Sequence, residues 1–335
     1  MVNEEKRATH KTTVPINRMA TNSEIPTIDL SPFFNLVDDD EDKSKKKVAE
    51  MIIEACSEYG FFQVVNHGVP LHLLNKTMEL SKIYFTFPDE EKLKCSPKAG
   101  ALLPAGYSKQ PEVSPNKNEY LVMFSADTGH NLLPTNPPEF KESLEELFSY
   151  LSKTSQILES IINDCLGLPP NFLKEFNHDR SWDLLVAFHY FPATEMEDTG
   201  LLEHEDVNCI SFVVQDEAGG LEVRKDGQWI PVVPEPGKIV VNIGDVIQVL
   251  SNTKFKSATH RVVRPKGRSR HSLAFFYSLH GDKWVEPLPP FTKEIGEPAK
   301  YKGFFYKEYQ DMRRKSMTHT PARAEDIIRI THYSV

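Results

Sequence analysis

Leu202-Glu203-His204-Glu205-Asp206 is the stretch of the chain from which both a fold and a site can be predicted. Side chains two apart on a β-strand point to the same face, so His204 and Asp206 can direct an imidazole and a carboxylate to one point. A second histidine follows 56 residues after the first, in Thr259-His260-Arg261. Two histidines and one carboxylate are the set that holds non-haem Fe(II) and leaves other coordination positions open. We therefore predict that His204, Asp206 and His260 bind iron.

The sequence beyond His260 supports this prediction. Ten residues later comes Arg270-His271-Ser272, which leads into an apolar run ending at Tyr277. Arg270 and Ser272 share one face of the predicted strand, where a guanidinium beside a hydroxyl can hold a carboxylate. A small dicarboxylate could then bind with one end on this pair and the other on the metal. The alternative is an exposed histidine and aspartate in an acidic loop.

Taken together, these motifs resemble those of the plant 2-oxoglutarate- and Fe(II)-dependent dioxygenases, from about Ile25 to Pro290. The combination is specific, although each motif alone is not. In chain order the motifs are Asn66-His67-Gly68-Val69-Pro70, His204-x-Asp206, Asn242-Ile243-Gly244-Asp245, His260-Arg261-Val262-Val263 and Arg270-x-Ser272.

The resemblance implies a mainly β fold with flanking α-helices, built on a distorted double-stranded β-helix, a jelly-roll-like core with iron at one open end. It implies that His204, Asp206 and His260 are the Fe(II) ligands and that Arg270 and Ser272 hold the C5 carboxylate of 2-oxoglutarate. It also implies O2 as oxidant, ascorbate as reductant and a small-molecule substrate. Asp245 is expected to have a structural role.

The chain departs from the family pattern at Phe188-His189-Tyr190, where the family has Asn-x-Tyr. Tyr190 is still expected to donate its hydroxyl to 2-oxoglutarate, but the amide at position 188 is missing. This departure keeps open an Fe(II) oxidase that uses no 2-oxoglutarate, similar to aminocyclopropanecarboxylate oxidase. A catalytically silent small-ligand-binding protein on the same fold is a more distant alternative.

Three phenylalanines, Phe124, Phe188 and Phe276, are candidates for lining the substrate pocket. Phe188 alternates with Tyr190 on one strand, and Phe276 shares a strand face with Arg270 and Ser272. The alternative for each is ordinary barrel core. An aromatic pocket indicates a small, largely apolar metabolite or hormone-like acid, such as a gibberellin-type diterpenoid or a flavonoid. Hydroxylation and desaturation are both compatible with the site.

Composition narrows the class of protein. The 335 residues carry a formal net charge of −9 and are 39% apolar and 26% charged, which is typical of a globular protein and argues against nucleic-acid binding. No run of about 18 apolar residues exists, so no membrane span is expected. The four cysteines lack C-x-x-C spacing, which indicates reduced thiols in a cytoplasmic protein. We expect the protein to be a monomer.

The chain is predicted to form one compact catalytic unit with four parts. A flexible tail covers residues 1–24, a region of helices and strands packed on the core covers 25–175, the double-stranded β-helix covers 176–290, and a helical segment covers 291–335. Apolar periodicity and turn residues predict helices at 45–59, 70–85, 137–166 and 301–315, strands at 118–124, 184–192 and 239–243, and a loop at 97–115.

Overall fold

The computed structural model describes residues 24–34, 41–98, 104–318 and 327–335. The predicted flexible tail therefore lies outside the described residues, except for Glu24. No helix in these ranges is both long and apolar enough to cross a membrane.

Helices and strands alternate in the first half of the chain, and strands dominate the second half. The helices are α1 (Glu41–Glu58), α2 (Leu71–Phe85), α3 (Asp89–Leu93), α4 (Phe140–Cys165), α5 (Phe172–Phe176), α6 (Asp245–Leu250) and α7 (Tyr306–Thr318). The strands are β1 (Thr27–Asp29), β2 (Phe61–Val65), β3 (Gly106–Lys109), β4 (Asn118–Phe124), β5 (Leu184–Tyr190), β6 (Thr199–His204), β7 (Ile210–Gln215), β8 (Leu221–Lys225), β9 (Gln228–Pro231), β10 (Ile239–Ile243), β11 (His260–Val263), β12 (Arg270–Tyr277), β13 (Trp284–Val285) and β14 (Phe304–Phe305).

Two sheets form the core of the protein. The larger has the strand order β1-β2-β10-β7-β12-β5-β4-β3, and the smaller has the order β6-β11-β8-β9. Apolar side chains of both sheets meet in one buried cluster, in which Phe61 and Val240 of the larger sheet lie with Leu221, Val223 and Val262 of the smaller. Several neighbouring strands in these orders, such as β2 and β10 or β6 and β11, are far apart in the chain. Two facing sheets with such connections make a distorted double-stranded β-helix. The predicted fold class is confirmed.

The outer face of the larger sheet is covered by helices. The apolar stripe of α4 packs against it, and the rings of Phe148 and Phe275 meet edge to face with centroids 5.1 Å apart. Burying such a stripe is what stabilises an amphipathic helix in a folded protein. The helices thus support the sheet from behind and leave its inner face free for the site.

Strands β1–β4 come from the region 25–175, yet they lie in the same sheet as strands of the region 176–290. The two regions therefore share one hydrophobic core. The two regions are joined by β4 and β5, which pair from Asn118 opposite Tyr190 to Phe124 opposite Leu184.

Most of the predicted elements are present, with two corrections. The predicted loop at 97–115 contains strand β3, which pairs with β4. The predicted helix at 301–315 begins only at Tyr306, because Phe304 and Phe305 pair with β13 as a short strand. Gly303 also lies directly against the ring of Trp284, where a Cβ would collide with it.

Candidate metal and co-substrate site

His204 and His260 lie opposite each other on two neighbouring strands of the smaller sheet. His204 is the last residue of β6, His260 is the first residue of β11, and the two are paired in the strand register. Their ring centroids are 4.2 Å apart. The expectation that Asp206 shares a strand with His204 is wrong, since β6 ends at His204 and Asp206 follows in the connection to β7.

The three predicted ligands nevertheless converge. Oδ1 of Asp206 lies 3.6 Å from Nε2 of His204 and 3.7 Å from Nε2 of His260. One ligand atom from each residue falls within 4.8 Å of the others. The Nδ1 atoms lie 2.8 Å and 3.1 Å from the carbonyl oxygens of Leu202 and Ala258, so each Nδ1–H donates to the backbone. This tautomer leaves both Nε2 lone pairs directed at a common point, as metal-binding histidines require.

Two further residues fix the carboxylate of Asp206. Ser211 Oγ and Asn242 Nδ2 donate to its Oδ2 at 2.6 Å and 2.8 Å, which leaves Oδ1 for the metal. The backbone N–H of Asp245 donates to the Asp206 carbonyl at 2.8 Å, and its side chain accepts from Tyr309. The sequence patterns do not mark Ser211 or Asn242 as holding Asp206, although Asn242 opens one of the motifs. Asp245 lies outside the three-ligand cluster, as expected for a structural residue.

Burial sets the protonation of the site. It disfavours a charged imidazole and, together with the neighbouring His260, lowers the pKa of His204 to about 3. Burial alone would raise the pKa of Asp206, but the adjacent imidazoles and the hydrogen bonds from Ser211 and Asn242 give a net lowering. A neutral imidazole and an ionised carboxylate are the forms that coordinate a cation. This donor set fits Fe(II).

Arg270, Ser272 and Tyr190 form a second group on the larger sheet. Arg270 opens β12 opposite Tyr190 of β5, and its Cζ lies 4.7 Å from the Tyr190 ring centroid. Its Nη1 donates to Ser272 Oγ at 3.0 Å, Nη2 donates to Gln215 Oε1 at 3.1 Å, and Nε donates to the Gly219 carbonyl.

The Arg270 guanidinium is 1% exposed, and burial lowers its pKa. It makes no direct ion-pair contact with any of the described carboxylates, and the nearby Asp216 carboxylate only partly offsets the cost of burying its charge. An incoming carboxylate would supply a direct anionic partner. The residues present therefore fit a 2-oxoglutarate carboxylate at this position.

Phe188 lies between Tyr190 of this group and the cavity that His204 and Asp206 also line. Its ring stacks on Tyr190, with centroids 5.7 Å apart and planes 27° apart. Asn118, which pairs with Tyr190 across β4 and β5, donates from Nδ2 to the Gly200 carbonyl at 2.9 Å. Its buried Oδ1 has no hydrogen-bond partner among the described residues. Asn118 thus places a side-chain amide on the neighbouring strand, opposite Tyr190 and two positions along from Phe188. The sequence patterns do not mark this residue.

A cavity of about 290 Å³ opens beside the metal cluster. All three predicted pocket residues, Phe124, Phe188 and Phe276, lie on its wall, together with His204 and Asp206. Most of the cavity surface is apolar, although polar side chains line it both on α7 and elsewhere, including Gln110, Asn118 and Asn208. The other lining residues are Pro104, Tyr120, Val122, Leu184, Val186, Leu201, Glu205, Val207, Ser278, Tyr306, Gln310, Arg313 and Arg314.

Comparison with known families gives two matches. Residues 181–279, which contain the metal cluster, match the 2OG-Fe(II) oxygenase superfamily. Residues 25–141 match the N-terminal region described as that of a non-haem dioxygenase in morphine synthesis. The two matches fall on the strand-rich core and on the region of helices and strands that precedes it.

Individual relatives cover most of the chain. A flavonol synthase/flavanone 3-hydroxylase of Matthiola incana is 32% identical over 294 residues, covering 85% of this chain and 96% of its own length. The 1-aminocyclopropane-1-carboxylate oxidase 5 of Arabidopsis thaliana is 35% identical over 297 residues, with 86% and 93% covered. Among solved structures, JOX2 in complex with 2OG, Fe and JA is 29% identical with a TM-score of 0.77, and 89% of this chain and 88% of that one are covered.

Proposed function

The chain belongs to the plant 2-oxoglutarate- and Fe(II)-dependent oxygenase family, and we propose that it oxidises a C–H bond of a small, largely apolar plant metabolite. As a member of this family it is a 2-oxoglutarate-dependent dioxygenase, for which ascorbate is the typical reductant. One observation carries the proposal. His204 and Asp206 of the candidate metal site line one aromatic cavity with Phe188, and Phe188 stacks on Tyr190, whose ring centroid lies 4.7 Å from Cζ of the buried Arg270.

In this proposal His204, Asp206 and His260 hold Fe(II), while Arg270 and Ser272 bind the C5 carboxylate of 2-oxoglutarate. Bound iron and co-substrate supply the oxidising chemistry, in which O2 and 2-oxoglutarate yield succinate and CO2. The chain itself needs no general acid or base. Its side chains position one substrate bond over the metal and keep water out, and Tyr190 directs its hydroxyl toward the co-substrate.

The cavity wall favours an aromatic or alicyclic substrate. Phe124, Phe188 and Phe276 offer ring faces and edges that pair with planar or bulky apolar groups. A flavonoid is the first candidate, since several of the similar proteins are named as flavonol synthases or flavanone hydroxylases. Hormone-like acids are the next class to test, including a gibberellin-type diterpenoid. The solved structure of JOX2, which is 29% identical to this chain, holds JA together with 2OG and Fe.

A second candidate function, an Fe(II) oxidase that uses no 2-oxoglutarate, is favoured by one specific feature. Phe188 replaces the expected asparagine, and a relative named as an aminocyclopropane-carboxylate oxidase is 35% identical. The buried Arg270 argues for 2-oxoglutarate, because it makes no direct ion-pair contact with a described carboxylate and a co-substrate carboxylate would provide one. A catalytically silent binding protein does not fit a family of oxygenases with all three metal ligands present.

The proposal is tested by adding Fe(II) and 2-oxoglutarate to the purified protein without oxygen. A weak visible charge-transfer band is expected when both are bound. Oxygen is then admitted with a panel of flavonoids, hormone-like acids and diterpenoids, and succinate and oxidised product are measured together. If iron binds without a band, and product forms without succinate, the oxidase replaces the dioxygenase.

A further inference from the structure

Glu205 lies between His204, the last residue of β6, and Asp206, and the sequence alone marks it only as part of an acidic stretch. In the structure its side chain is 10% exposed. Its Oε1 accepts hydrogen bonds from Thr259 Oγ1 and from Arg329 Nη1, both at 2.5 Å. Thr259 immediately precedes His260, so one carboxylate oxygen joins both ligand-bearing segments of the chain.

Two arginines tie the same segment to the C-terminal part of the protein. Arg329 Nη2 donates to the backbone and the side chain of Glu203, at 3.2 Å in each case. Arg313 of α7, which is 3% exposed, donates from Nη2 to the Glu205 carbonyl at 2.6 Å and from Nη1 to the Ile328 carbonyl. Glu205, which separates His204 from Asp206, is therefore held both through its side chain and through its backbone carbonyl.

The segment that supplies Arg329 is itself anchored. Ile330 is 3% exposed, and the ring of Tyr333 stacks on Phe304 with centroids 4.3 Å apart. A bridge between Tyr301 and Ser334 attaches the end of the segment to the body of the protein. Arg329 therefore holds Glu205 from a fixed base.

We propose that Glu205, Thr259, Arg313 and Arg329 form a ligand strap that holds His204, Asp206 and His260 at the spacing Fe(II) needs. The four are positioning residues, because none contributes a ligand atom to the metal cluster. The inference rests on the proposed iron site. Metal sites depend on ligand positions held within about 0.5 Å, and partners behind the ligands change metal affinity by about 10–100-fold. The hydrogen bonds of Glu205 restrict both ligand segments at once.

Charge and geometry predict opposite effects for the removal of Arg329. Arg329→Gln leaves the Glu205 carboxylate without its cation, and the added negative charge near the metal would tighten Fe(II) binding. Loss of the hydrogen bonds of the strap would free both ligand segments, and this freedom would weaken Fe(II) binding. Thr259→Val removes one hydrogen bond of the strap without changing charge.

The experiment is an oxygen-free titration of Fe(II) into the metal-free protein against a competing chelator, with thermal unfolding of the same metal-free samples. We expect the Fe(II) dissociation constant to rise about tenfold in Arg329→Gln and several-fold in Thr259→Val. Arg329→Lys should recover part of the loss, because its ammonium can still reach one acceptor. Lys266→Gln is the matched control, since it removes the exposed 3.0 Å ion pair with Glu195 and should leave iron affinity unchanged.

The outcomes separate cleanly. If wild-type protein binds no Fe(II), the proposed function fails before the strap is tested. If wild type binds and both Thr259→Val and Arg329→Gln bind within twofold of it, the strap is not a positioning device. Tighter binding in Arg329→Gln would also overturn the proposal, because charge would then outweigh geometry. Should Arg329→Gln not fold, Thr259→Val alone decides.

Discussion

Phe188 stacks on Tyr190 with ring planes 27° apart, and this contact joins the apolar cavity to the group around Arg270. The ring occupies the position at which the family has an asparagine. The Phe188 ring therefore lines the cavity where the family pattern has an amide. Tyr120 tilts against the other side of Phe188 with centroids 5.8 Å apart, which holds the ring in place.

Phe188→Ala should weaken substrate binding more than co-substrate binding. Aromatic contacts contribute about 0.5–1.5 kcal/mol beyond the area they bury, so a several-fold rise in substrate KM is expected. The dissociation constant of 2-oxoglutarate, titrated through the charge-transfer band, should change little. Phe188→Leu keeps apolar bulk and serves as the control, with a smaller rise in KM. A large loss of 2-oxoglutarate affinity would instead place Phe188 in the co-substrate site.

Arg270→Lys should impair 2-oxoglutarate binding while leaving Fe(II) binding intact. Lysine keeps the charge but loses the planar fork that holds a carboxylate through two hydrogen bonds. We expect the 2-oxoglutarate dissociation constant to rise at least about tenfold, which is about 1.4 kcal/mol. Arg264→Lys is a matched control, because Arg264 is also buried but bonds to carbonyl oxygens of Phe191, Pro192 and Thr199. Equal losses in both variants would argue against a specific role for Arg270.

The sequence predicts the candidate metal ligands better than it predicts the residues that hold them in position. His204, Asp206 and His260 can be recognised because few residue types coordinate Fe(II) and their order along the chain is informative. The partners of Glu205 cannot be recognised in this way. Arg329 is 124 residues from Glu205 in the chain, and no local periodicity records a contact over that distance.

Local patterns also mislead where a strand ends at a functional residue. Alternation predicts His204 and Asp206 on one strand, but the backbone leaves the sheet after His204. The carbonyl of Asp206 accepts from the N–H of Asp245 at the start of α6, and its carboxylate is held by Ser211 and Asn242. Tertiary hydrogen bonds, rather than strand geometry, therefore direct the Asp206 carboxylate toward His204 and His260.

Ser211→Ala should lower Fe(II) affinity without lowering the stability of the metal-free protein by much. The substitution removes the 2.6 Å hydrogen bond to Asp206 Oδ2 and lets the carboxylate rotate, while Asn242 still holds the same oxygen. Partners of this kind change metal affinity by about 10–100-fold, and the lower end is expected here. Anaerobic Fe(II) titration measures the effect, with Asp206→Ala as the variant that loses binding and turnover altogether. Unchanged affinity in Ser211→Ala would mean that Asn242 alone suffices.

Glu159 of α4 should make the metal-free protein less stable as pH rises. Burial raises the pKa of this carboxyl, although Asn177 and Tyr277 donate hydrogen bonds to it. Because the folded state holds the proton more tightly than the unfolded chain, the stabilising contribution is present at low pH and is lost as pH rises through the folded pKa. Glu159→Gln mimics the neutral form and should raise the melting temperature relative to wild type at pH 8, with a smaller difference at pH 5. Thermal unfolding of both proteins at the two pH values measures this, and a difference independent of pH would show that Glu159 is already ionised in the fold.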